Sequence, residues 1–197
     1  MATVIAPLFS FSASGKLAKT LVYFPYKSLK VVRSYVVPAN PNTTGQQAQR
    51  SNFTDGVDEW HAAGYNAVDL TAWNVLAATL GGALSGFNAF MRWFINTEVA
   101  GFVWQRLAEI VISAVGVAGF TVTLSATSGG TAPVLHWGSS DTFMPNTITM
   151  SDLTGDSWDA DLTGLASGVK YFFFIDRGNP NLSTNYGRTG IGAQMTA

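Results

Sequence analysis

The sequence predicts an α+β chain: an N-terminal β-hairpin or arm with a helical bundle, followed by a C-terminal all-β sandwich. Three observations lead there. Residues 17–37, LAKTLVYFPYKSLKVVRSYVV, are rich in β-branched and aromatic side chains. Residues from about 44 to 113 place apolar side chains three and four apart, the helical repeat. Beyond Gly116, short alternating runs are separated by Gly, Ser, Asp and Asn turn signals. The expected division is 1-115, an N-terminal β-arm and helical anchoring domain, and 116-197, the sandwich.

The first element expected is a hairpin over about 19–24 and 29–37, interrupted near Pro25. In its second strand Lys30, Val32, Ser34 and Val36 alternate with Val31, Arg33, Tyr35 and Val37. Neither face is purely apolar, which fits an edge strand or one whose second face meets another chain. Pro38-Ala39-Asn40-Pro41-Asn42 then reads as a stiff extended connector. Thr43 or Thr44 can cap a first helix through Gln46–Arg50, continued by the stripe Phe53, Val57, Trp60 and Tyr65. A second helix is expected from Ala67 to Leu80 on the stripe Leu70, Trp73, Leu76, Ala77 and Leu80, stopped at Gly81-Gly82. Ser85 precedes a compact aromatic third helix over Phe87–Ile95, and a fourth is expected over Val99–Ser113 with Phe102, Leu107 and Ile110 buried. The candidate strands after that are 120–124, 134–137, 147–150, 158–162, 171–175 and 189–195, which in some 80 residues is the density of a β-sandwich.

Composition narrows the function classes. Of 197 residues, 47% are hydrophobic and only 12% charged, about half the usual charged quarter, so some apolar surface is expected to lie against partners. There is no cysteine, which excludes disulfides, thiolate metal sites and a Cys nucleophile. The net charge is −1, yet the first fifty residues hold Lys16, Lys19, Lys27, Lys30, Arg33 and Arg50 with no acid. The remainder holds all twelve acids and five bases. Aromatic residues interleave with the basic run, a feature of nucleic-acid binders. With so few bases and no net positive charge, nucleic acid is the less favoured partner. No basic segment precedes Lys16, so no signal peptide is expected. The run Ile110–Phe120 is too short to span a bilayer of about 20 residues and reads as a helix end entering a linker.

Catalytic and cofactor chemistry finds little support. His61 and His136 stand in different zones, without a nucleophile elbow or the several ligands that zinc needs. Asp152, Asp156, Asp159 and Asp161 cluster loosely, and Asp159 and Asp161 share a strand face. They lack the Gly and Glu steps of a calcium loop. Ser14-Gly15-Lys16 lacks the upstream Gly and the following Ser or Thr of a phosphate loop. The expectation is therefore no enzyme, no cofactor and no metal.

Two segments resemble known families. The first runs from residue 11 to about 95 and covers about 40% of the chain. It is anchored by Phe11-Ser12-Ala13-Ser14-Gly15, Leu21-Val22-Tyr23, Val32-Arg33-Ser34-Tyr35-Val36-Val37-Pro38-Ala39-Asn40-Pro41-Asn42-Thr43, Gln46-Gln47-Ala48-Gln49-Arg50, Ala72-Trp73-Asn74 and Ser85-Gly86-Phe87-Asn88-Ala89-Phe90. It resembles small structural proteins of tailed bacteriophages and prophages, which implies a virion component without enzymatic activity, on head or tail. The second, Leu162-Thr163-Gly164-Leu165-Ala166-Ser167-Gly168-Val169-Lys170-Tyr171, is similar to the corner before the penultimate strand of fibronectin type III domains. It implies an immunoglobulin-like sandwich with Leu165, Gly168 and Tyr171 as a structural corner, the Tyr171 hydroxyl bonded back to the backbone.

Together these give the functional expectation: a capsid cement or decoration protein, with a tail or fibre-attachment subunit as the alternative. It would be assembled in the host cytoplasm into the virion. Its partners would be the major capsid protein or other virion subunits, in many copies or as a homo-oligomer. Lys16, Lys19, Lys27, Lys30, Arg33 and Tyr35 are the expected shell contacts, and the immunoglobulin-like domain is expected to reach host surfaces or glycans. Neither membrane nor nucleic acid is expected as a partner.

Overall fold

A computed structural model describes residues 2–3, 15–26, 29–37, 39–40, 42–127, 131–154, 156–178 and 185–197. The chain divides into two compact units, Met1–Thr43 and Thr44–Ala197. The expected boundary at 115/116 followed a change of local structure, from helix to strand, whereas these units follow packing.

In the first unit, β1 (Ala2–Thr3), β2 (Gly15–Leu17), β3 (Leu21–Tyr26) and β4 (Leu29–Ser34) form an antiparallel sheet in the order β1-β4-β3-β2. The hairpin forms as expected, with Tyr23 opposite Val32 and Phe24 opposite Val31. Pro25 does not break β3. It lies beyond Tyr23, the last β3 residue with a described β2 partner, and stands opposite Lys30 of β4. Nor is β4 an edge strand, because β1 pairs with Val31 and Val32.

The second unit begins with three helices: α1 (Thr44–Ala62), α2 (Ala67–Thr79) and α3 (Gly86–Val99). Asn66 caps α2, accepting from the N–H groups of Val68 and Asp69, while the Asp69 carboxylate accepts from the Asn66 N–H at 3.0 Å. Ser85 caps α3. Helix α3 packs against both α1 and α2. Of the expected α1 stripe, Phe53 is exposed, and the buried residue is Gly56, where a Cβ would meet the Met91 Cε at 2.8 Å. In α2 Trp73, Leu76 and Ala77 are buried and Leu70 is exposed. Trp60, Tyr65, Trp73, Phe90, Phe94 and Trp104 form one aromatic network around the fully buried Phe90 ring.

The expected fourth helix is absent. Residues 99–113 hold the end of α3, then β5 (Val103–Trp104) and the start of β6 (Leu107–Gly116). The cause is a bulge: the β6 register shifts between Ala108 and Val111, with Glu109 at φ +57°. Leu107, Ala108 and Ile110 are therefore all buried, a spacing that imitates a helical stripe. The apolar run to Phe120 is the end of β6, a turn and the start of β7, not a helix end.

The remaining strands are β7 (Gly119–Ala126), β8 (Val134–Gly138), β9 (Asn146–Thr149), β10 (Ser151–Thr154), β11 (Ser157–Thr163), β12 (Lys170–Arg177), β13 (Asn185–Arg188) and β14 (Gly192–Met195). One sheet runs β10-β11-β7-β6, the other β5-β13-β12-β8-β9, with β14 also on β12. Written as the lettered strands A to G, these sheets are D-E-B-A and G-F-C-C′, the order of an immunoglobulin-like sandwich. Inward-facing residues of both sheets, among them Leu107, Val122, Leu124, Leu135, Leu162, Phe173 and Ile175, close one core. The expected last strand is split at Thr189–Ile191, and β13 and β14 take successive stretches of β12.

Helix α2 closes one side of the sandwich. It packs on β6 and β14, the edge strands of the two sheets. The buried Asp69 carboxylate accepts from the N–H groups of Glu109 (2.8 Å) and Ile110 (3.2 Å), which the bulge withdraws from the ladder. Ile191 N–H donates to Ala72 O at 2.9 Å. At Gly190 a Cβ would overlap the Ala72–Trp73 backbone, 2.5 Å from Ala72 O. Among the described residues no helix is long and apolar enough to cross a membrane.

Candidate interaction surface

The register of the first unit assigns its side chains to two faces. Directly paired residues share a face. Lys16, Val22 and Arg33 therefore form one row across β2, β3 and β4, with Phe24 and Val31 in the next row and Tyr26 and Leu29 beyond. Lys30, opposite Pro25, points to the other face with Leu21, Tyr23 and Val32. Both cations of the first face lie on rings: the Lys16 ammonium is 4.7 Å from the Tyr35 ring centroid and donates to its hydroxyl at 3.4 Å, and the Arg33 guanidinium is 5.3 Å from Phe24. Exposed contacts of this kind are worth about 0.5–1 kcal/mol, and they hold the charges on the sheet surface.

Of the six expected contact residues, the sheet thus brings Lys16, Arg33 and Tyr35 together and puts Lys30 on the reverse. Lys19 is exposed in the β2–β3 turn at φ +57°. Lys27 lies outside the described residues. Among the residues of this unit whose side chains are described, only Val31 is buried, and Tyr26, Leu29, Val36 and Val37 are exposed.

The second unit offers three further features. At the corner before β12, Leu165 is buried and its N–H donates to Ala118 O. Gly168 turns the chain at φ +69°, and Ala166 N–H donates to the Tyr171 hydroxyl at 3.0 Å. On the outer face of the β12 sheet, the Arg188 guanidinium lies between Trp93 (4.7 Å) and Phe174 (4.3 Å). His136 stacks on Phe174 at 4.5 Å and 4°, its Nε2 3.2 Å from Asp176 Oδ1. Burial holds the Arg188 guanidinium below its ordinary pKa, with Tyr186 and Asp176 opposing. Third, an open cleft of about 700 Å³ is lined by Glu59, Trp104, Arg106, Glu109, Ser125 and Asp156, among others. Glu59 and Arg106 are bound there by two parallel hydrogen bonds of 2.7 Å, which raise the Arg106 pKa.

The stacked cation was invisible in the sequence, since Trp93, Phe174 and Arg188 meet only through the packing of α3 on the far end of the sheet. His61 is exposed in the last turn of α1. No group of three or more His, Asp or Glu able to hold a metal occurs among the described residues.

No family model and no curated protein matches the chain. Solved structures similar to part of it include a myokine, at 11% identity over 46% of this chain and 94% of that one, with a TM-score of 0.35. Another is an FN3 domain of human collagen XX, at 19% identity over 45% of this chain and 88% of that one, with a TM-score of 0.31.

Proposed function

We propose that the chain is a non-enzymatic structural subunit of a tailed-bacteriophage particle, a capsid cement or decoration protein attached to the major capsid shell through its N-terminal sheet. The observation that carries this reading is the state of that sheet. It belongs to a unit of 43 residues in which Val31 alone is buried among the residues whose side chains are described, while both faces carry apolar and basic side chains. Units near 40 residues rarely sustain a core without a cross-link or a partner, and this chain has no cysteine. Burial against neighbouring subunits supplies what the unit lacks. Many equivalent weak contacts on one shell add up through avidity. Residues 44–197 then form the projecting body, with the sandwich available to host surfaces or glycans.

Copy number in purified virions, read from a stained gel, is the test. Hundreds of copies per particle are expected. A handful moves the protein to the tail, and absence from particles overturns the reading. The accompanying truncation removes residues 1–43 and is expected to abolish incorporation. A cut at 115/116 would instead fall inside β6 and part α2 from β14.

A further inference from the structure

We infer that the N-terminal sheet of one copy seats, by its Lys16–Arg33 face, on the outer face of the β10-β11-β7-β6 sheet of a second copy. This deepens the virion reading by naming one of the neighbours that completes the sheet.

Charge is divided between the two units. Residues 1–43 hold five bases and no acid, and residues 44–197 hold six bases against twelve acids, net −6. The division sharpens at the level of sheets. The strands β6, β7, β10 and β11 carry Glu109, Asp152, Asp159 and Asp161 and not one Lys or Arg. By register, the outward residues of the three longer strands are mostly hydroxylic: Ser113, Thr121, Thr123, Ser125, Ser157 and Thr163, with the exposed Val111. Among them stand Asp159, opposite Thr123, and Asp161, opposite Thr121.

The partners of these acids within the chain are neutral. Thr121 donates to Asp161 at 2.6 Å and Ser125 to Glu109 at 2.8 Å. Arg106, which precedes β6, is held by Glu59. The negative charge is left for something else.

The spacing fits the basic sheet. Lys16 on β2 and Arg33 on β4 are two strands apart, and so are Glu109 on β6 and the Asp159–Asp161 pair on β11. At about 4.8 Å per strand, both separations are about 10 Å. Aligned face to face, each cation meets a carboxylate. The reverse face of the N-terminal sheet, with Lys30 and Val32, stays free for the shell. Each copy then donates one sheet and receives another, a heterologous contact that closes into a ring or continues as an open array.

The experiment uses the full chain in sedimentation velocity across a concentration series, at about 0.1 M and about 1 M salt, where the screening length falls from about 10 Å to about 3 Å. The expected result is mass above one chain that rises with concentration and is lost at high salt. Lys16→Glu/Arg33→Glu and Glu109→Lys/Asp159→Lys/Asp161→Lys should each weaken self-association about tenfold or more, with unchanged circular dichroism. Mixing the two substituted chains should restore a complex, because every inverted pair then matches again. A single-chain mass at every concentration, or failure of the mixture to associate, overturns the inference. So does a salt-dependent compaction independent of concentration, which would put the sheet on its own chain. Retention on DNA without self-association would assign the basic face to nucleic acid and also overturn it. Self-association without incorporation into virions would sink the virion reading alone, and incorporation without self-association this inference alone.

Discussion

Replacing Gly190 by Ala tests whether the helices and the sandwich are one body. Gly190 is buried and is not among the glycines of positive φ, so alanine is admissible on backbone grounds. Its methyl group would fall within the Ala72–Trp73 peptide, 2.5 Å from Ala72 O. A comfortable contact is about 3.5 Å, so α2 must retreat by about 1 Å from the link between β13 and β14. The retreat breaks the Ile191 N–H to Ala72 O hydrogen bond, worth about 1 kcal/mol. Overpacking of this severity adds about 1–3 kcal/mol. The expected loss is about 2–4 kcal/mol, which at about 2–4 °C per kcal/mol for a chain of this size lowers Tm by roughly 10 °C. Urea unfolding followed by circular dichroism and Trp fluorescence measures it. Gly45→Ala is the control: nothing lies within 4 Å of a Cβ there, and the change should be neutral or stabilise by up to about 1 kcal/mol. A Gly190→Ala protein within about 0.5 kcal/mol of the parent would refute the packing argument.

Two further outcomes concern buried titratable groups. Asp69→Ala removes the acceptor of three backbone N–H groups, those of Asn66, Glu109 and Ile110, and should cost about 3 kcal/mol in urea unfolding at pH 7. Burial also lifts the Asp69 carboxyl above its ordinary value. The folded chain therefore takes up that proton first, and the resulting stabilisation, full below the ordinary Asp range, is lost as pH rises through the elevated value; the variant lacks this slope. Burial pushes the Tyr186 phenol up to about 12, so its stabilising contribution is full below pH 10 and disappears as pH rises through about 12. Two units correspond to about 2.7 kcal/mol, and Tyr186→Phe should flatten the decline of the urea midpoint over that interval. An identical alkaline profile in the variant would show that Tyr186 ionises freely in the folded chain.

Where side chains decided the structure by local rules, the sequence was readable. Ser85 ahead of an aromatic run marked α3, and strict alternation marked β7, whose Phe120, Val122 and Leu124 all point into the core. Two elements were misread for different reasons. The β6 bulge puts Ala108 and Ile110 on the same side because Asp69, forty residues earlier, accepts the displaced N–H groups. Strand β10, Ser151–Thr154, is exposed throughout and carries no alternation to find. Across the expected 115/116 boundary, α2 is sealed to the sandwich by Ala72, Gly190 and Ile191, a contact between small side chains and backbone that leaves no hydropathy signal. On the basic sheet, composition marked the cations, but only the register separated Lys16 and Arg33 from Lys30.

The seal between Ala72 and Ile191 joins segments about 120 residues apart in the order of synthesis. At about 5–20 residues per second on the ribosome, the helices emerge some 6–24 s before the strand that covers them. Through that interval the cluster of Trp73, Phe90 and Phe94 lacks Ile191, which completes its core. The polypeptide thus matures late and all together rather than front to back, and the yield of folded molecules should rise with slower translation or added holdase.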